Sequence, residues 1–143
     1  MADLLKKLEY IKDAIRNLDN LISREKVEDV IRDFIYVNSI LHILQTSIQA
    51  LIDIGTRVIS ELGERPPDIY REVAFRLASN NFLKKDEAIL LAKIIGFRNI
   101  LVHTYIGVNL NLVKEILEKR KYRDLLNLAL KIVEKAQEKG IDP

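Results

Sequence analysis

A chain of 143 residues, 48% hydrophobic and 31% charged, has the length and composition of one globular domain rather than a disordered or multi-domain protein. Its formal net charge of +2 is far below that of proteins that live by non-specific nucleic-acid binding, so any such contact has to be local. The absence of cysteine excludes disulfides and thiolate metal sites. We therefore expect a single domain over residues 1–143 in a reducing cytoplasm, with no signal peptide at Met1–Lys7, no membrane partner and no metal or cofactor.

Apolar spacing is helical almost throughout. Leu4, Leu8, Ile11, Ile15, Leu18 and Ile22 step by four and three, which predicts one amphipathic helix. A second, long helix is predicted from about Val27 to Leu62, closed by Gly63 and the Pro66-Pro67 pair. Such a length exceeds what one small core covers, so part of it is expected to meet a second protomer. Asp68 is expected to cap a short third helix ending near Ala78, followed by a turn at Ser79-Asn80-Asn81.

A fourth helix is predicted from about Asp86 to His103. It is apolar nearly all round between Ile89 and Ile95 apart from Lys93, which predicts a central position. Gly96 in this helix suggests a close packing contact. Asn109 or Asn111 should cap a fifth helix to about Glu118, and the last helix spans about Tyr122 to Glu138. The expected fold is an all-α antiparallel bundle of about five to six helices, the second of them long.

The stretch Gly96-Phe97-Arg98-Asn99-Ile100-Leu101-Val102-His103-Thr104-Tyr105 stands apart from the rest. On an ideal helix Arg98 and Tyr105 lie about 20° apart, whereas His103 falls about 140° from Arg98. The three share a face only if the helix distorts, or if a site takes groups from two chains. An arginine fork holds phosphate oxygens and offsets charge in a phosphoryl transition state. A histidine moves protons near neutral pH, and RNA carries its own 2′-hydroxyl nucleophile. Such a pair can cleave RNA without a metal, leaving a cyclic phosphate.

Arg98-Asn99-Ile100-Leu101-Val102-His103-Thr104-Tyr105 resembles the R-x4-H-x-Y motif of the HepT toxins, HEPN-superfamily proteins paired with a small MntA nucleotidyltransferase antitoxin. The order of helices and the Leu44–Ile54 stretch are similar too. The resemblance implies a homodimer with both motifs lining one cleft, and an endoribonuclease with Arg98 and His103 as catalytic residues and Asn99 in support. It also implies Tyr105 as the tyrosine that the partner enzyme modifies with AMP. An adenylyl group there adds bulk and negative charge beside the phosphate site.

Plainer readings stand beside these. A histidine at a helix end is often a cap on free carbonyls. The run Lys119, Arg120, Lys121 and Arg123 can contact RNA backbone, but a charged inter-helix turn is the stronger reading. His42 is expected at a helix neighbour or dimer contact, and Gln49 and Asp53 on a solvated face. The same motif also fits a non-catalytic accessory subunit that presents nucleotide or substrate to a nucleotidyltransferase.

Overall fold

The computed structural model describes residues 2–104 and 109–141, the side chains of residues 3–101 and 109–141 among them. Seven helices follow one another in these residues: α1 Ala2–Arg24, α2 Val27–Val30, α3 Phe34–Glu61, α4 Arg71–Ser79, α5 Lys85–Thr104, α6 Leu110–Glu118 and α7 Arg123–Glu138. The all-α expectation is met, with α3 as the spine: it packs against α1, α4, α5 and α7. The α1 stripe from Leu4 to Leu18 is buried as its periodicity requires. By length and hydropathy α3 is apolar enough to cross a membrane, but its buried residues, Ile40 to Ile59, form the centre of the core.

The expected continuous second helix is two helices. Asp33 adopts an extended backbone (φ −93°, ψ 116°) and its carboxylate accepts a 2.9 Å hydrogen bond from the Tyr36 backbone N–H. That cap satisfies an amide the helix start leaves open, and it outcompetes propagation through Ile31–Asp33. The expected cap at Asp68 is also corrected. Asp68 pairs with Arg65 at 3.2 Å, and α4 begins later, with Tyr70 in the capping position and no side-chain cap. The turn after α4 is as expected, with Asn81 at φ 66°. Asn109, not Asn111, caps α6 by accepting from the Asn111 N–H at 2.8 Å.

Gly63 and Gly140 close α3 and α7 at φ 79° and 70°. In each case the following amide donates back to a carbonyl five residues earlier, Glu64 to Ile59 and Ile141 to Ala136. A close helix crossing lies at Gly55. A Cβ there would lie 2.5 Å from Val73 Cγ1 and 3.1 Å from Leu77 Cδ1, so α3 and α4 meet through a missing side chain. Val73 is β-branched and fully buried, and cannot swing away. Gly55→Ala is expected to destabilise by about 1–3 kcal/mol despite its better helix propensity. Denaturant unfolding checks this, and a variant as stable as the parent would show that the crossing relaxes freely.

The α1–α7 contact is fixed by Asp19. Its Oδ1 accepts from Tyr122 Oη at 2.5 Å and from Arg120 at 2.9 Å, and Arg123 lies 3.1 Å from Oδ2. Burial alone would raise the Asp19 carboxyl, but the hydrogen bonds from Tyr122, Arg123 and Arg120 together outweigh it and hold it below the usual range. Burial, and then the bond to Asp19, push the Tyr122 phenol up to about 12. A depressed carboxyl contributes stability present above its unfolded pKa and lost as pH falls through the folded value. Asp19→Asn should therefore flatten part of the acid limb of a stability–pH profile. A profile parallel to wild type below pH ~4 would contradict this.

Candidate active site

Helix α5 starts on a capping arrangement in which Glu87 accepts from the Lys84 backbone N–H at 2.7 Å. It then runs as unbroken α-helix through Thr104. Ala88, Leu91, Ala92, Ile95 and Leu101 are buried, as expected of a central helix. Yet Ile89 and Ile100 are 43% and 50% exposed, so its apolar surface exceeds what this chain covers.

Arg98 is half-buried near the end of α5, with its Cζ 5.2 Å from the centre of the Tyr70 ring. That stacking steadies the guanidinium by about 0.5–1 kcal/mol without neutralising it. Among the described residues no carboxylate pairs with it. Its Nη1 lies 3.5 Å from Asn99 Oδ1, and its Nε is buried with no hydrogen-bond partner. A cation with open donors, held by an aromatic face rather than an acid, is suited to an incoming phosphate.

Residue 103 lies in the last turn of α5, within the same unbroken helix. No break between Arg98 and His103 brings their backbone positions onto one face, so they remain about 140° apart in helical register. Tyr105 lies outside the described residues. Asn99 is exposed beside Arg98.

The remaining candidates resolve as follows. Arg120 and Arg123 pair with Asp19, and Lys119 and Lys121 with Glu115 at 2.9 and 3.2 Å. The basic run is thus an ion-paired inter-helix turn in which four cations share two carboxylates, the reading the sequence favoured. Gln49 Nε2 donates to Asp53 at 2.9 Å on a half-buried face, and Asp53 lies 3.9 Å from Lys7. His42 is exposed. Gly96 does not mark a tight crossing among the described residues: a Cβ there would meet the end of the Arg71 side chain, at 3.6 Å. Tyr70 went unnoticed in the sequence. It lies 28 positions before Arg98 and in no motif, so nothing local signals the contact.

A family model described as "Ribonuclease HepT-like" matches residues 11–132. The chain belongs to the HepT-like ribonuclease family. An Archaeoglobus fulgidus protein with an RNase name is 29% identical over 134 residues, covering 94% of this chain and 90% of that one. The mRNA nuclease HepT of Shewanella oneidensis is 27% identical over 118 residues, covering 80% and 85%. Among solved structures, the tri-AMPylated Shewanella oneidensis HEPN toxin in complex with MNT antitoxin superposes with a TM-score of 0.83 at 25% identity. The match covers 94% of this chain and 98% of that one.

Proposed function

We propose that this HepT-like chain is a metal-independent endoribonuclease toxin, acting as a homodimer and silenced by AMPylation of Tyr105 by a cognate MntA-like nucleotidyltransferase. The observation that carries the reading is the state of Arg98: a stacked guanidinium with no acid partner among the described residues, five positions before His103 in the stretch that resembles the R-x4-H-x-Y motif of the HepT toxins.

In this mechanism the Arg98 fork grips the scissile phosphate and offsets the charge of its pentacoordinate transition state. The His103 imidazole takes the proton of the 2′-hydroxyl or delivers one to the departing 5′-oxygen. The 2′-oxygen attacks phosphorus, the P–O5′ bond breaks, and the products are a 2′,3′-cyclic phosphate and a 5′-hydroxyl. Because positions 98 and 103 diverge in the register of one uninterrupted helix, we assign the site to two chains, with the arginine of one protomer facing the histidine of its partner. Exposed apolar side chains support an unfilled protein contact: Phe34 is 80% exposed, Ile35 73% and Ile69 60%. Lys119, Arg120, Lys121 and Arg123 would have to leave their carboxylates to touch RNA, and so take a secondary part at most.

The test is cleavage of single-stranded RNA by unmodified protein in excess EDTA, with end-group analysis. Cyclic phosphate ends are expected. Intact RNA under varied salt and pH, together with activation of a nucleotidyltransferase, would instead favour the accessory-subunit reading.

A further inference from the structure

Beside α5 lies an open cleft of about 650 Å³, walled by α3, α6 and α7. Its lining is mostly apolar and includes Phe97 and Ile100. Two cations on its α5 edge have no carboxylate partner among the described residues: Arg71, from the first turn of α4, and Lys93. Arg57, Arg76, Arg120, Arg123 and Lys131, by contrast, are each paired with an acid. Lys121, on the opposite wall, is paired with Glu115, and Asp124 is the acid that borders the cleft.

Arg71 reaches this place by a specific route. Consecutive residues at the start of α4 straddle α5: the Tyr70 ring stacks on Arg98, while the Arg71 guanidinium lies over Gly96, with Nη2 3.6 Å from the Cβ position. The missing side chain at 96 leaves a flat backbone surface for it. In helical register position 103 falls about 20° from Gly96, and Lys93 about 60° from it on the other side. The rise along α5 from 96 to 103 is about 10 Å, so the Arg71 guanidinium over Gly96 sits about two turns before the His103 position.

We propose that Arg71 and Lys93 hold backbone phosphates flanking the cleaved bond, laying single-stranded RNA along α5 over the apolar floor at Phe97 and Ile100. This deepens the nuclease reading and rests on it. The low net charge of the chain makes two uncompensated cations on one cleft edge a localised anchor rather than part of a general basic surface. Phe97 and Ile100 supply the apolar and aromatic surface on which a base can rest between the anchored phosphates.

The experiment measures binding of the full-length protein to fluorescein-labelled 2′-O-methyl RNA, which lacks the attacking hydroxyl, across a salt series. Arg71→Ala and Lys93→Ala are each expected to weaken binding about tenfold. Each should also reduce the slope of log affinity against log salt by about 0.7. Arg16→Ala, a cation paired with Asp13 on the outer face of α1, serves as the charge control and should change neither. On cleavable RNA the two variants should raise KM and leave kcat unchanged, the signature of binding made equally in ground and transition states. Wild-type affinity and slope in both variants, while the wild-type protein still cuts RNA, would overturn this inference and leave the nuclease intact. If the wild-type protein neither binds nor cuts RNA, the nuclease reading falls and this inference with it.

Discussion

His103→Ala is expected to lower the RNA cleavage rate by about 10²–10⁴-fold, the usual contribution of a positioned proton-transfer group. The fold should survive, because residue 103 lies in the last turn of α5 and the core layer beneath that helix is made by Ala88, Leu91, Ile95 and Leu101. Arg98→Ala should cost about 10²–10³-fold through lost charge stabilisation in the transition state. It removes one stacking contact to Tyr70, so stability should fall by no more than about 1 kcal/mol. Because the two groups act on one bond, the double variant should be little worse than the poorer single one. Circular dichroism and sizing of each variant separate chemistry from folding. Full activity in a folded His103→Ala protein would remove the imidazole from the mechanism.

Loading AMP onto Tyr105 is expected to abolish cleavage. Residue 105 follows His103 by two positions, and on an ideal helix positions seven apart, such as 98 and 105, lie about 20° from each other. A phosphodiester anion fixed there competes with RNA for the same guanidinium, and the adenosine fills the approach. The protein incubated with its cognate nucleotidyltransferase, ATP and magnesium should gain AMP mass on the peptide carrying Tyr105 and lose activity in parallel. Tyr105→Phe should stay active through the same incubation. Full cleavage by protein stoichiometrically modified at Tyr105, or inactivation of the Tyr105→Phe variant, would contradict the regulatory claim.

The parts of this molecule that were legible in the sequence are those that local physics decides. The α1 stripe, the turn at Asn80-Asn81, the Asn109 cap and the stop at Gly63 each depend on residues within a few positions of one another. The break at Ile31–Asp33 was hidden because the apolar spacing runs straight through it, and one carboxylate bond from Asp33 to Tyr36 decides the matter. Asp68 was misread for the converse reason: it is a good capping residue already held by Arg65. Contacts between distant segments were invisible: Gly55 against Val73, Tyr70 over Arg98 and Arg71 over Gly96. The divergence of Arg98 and His103 was readable from spacing alone, and the uninterrupted α-helix of α5 through residue 104 retains it.

The measurement that bears most directly on a shared site uses mixed dimers, purified through two different affinity tags from cells co-expressing Arg98→Ala and His103→Ala chains. Each parent homodimer lacks one group in every site and should be inactive. A two-fold dimer whose sites combine the arginine of one chain with the histidine of the other keeps one complete pair in the mixture, so about half of wild-type cleavage should return. Mixed dimers as inactive as both parents, beside an active wild-type control, would show that the two side chains do not work across the chains.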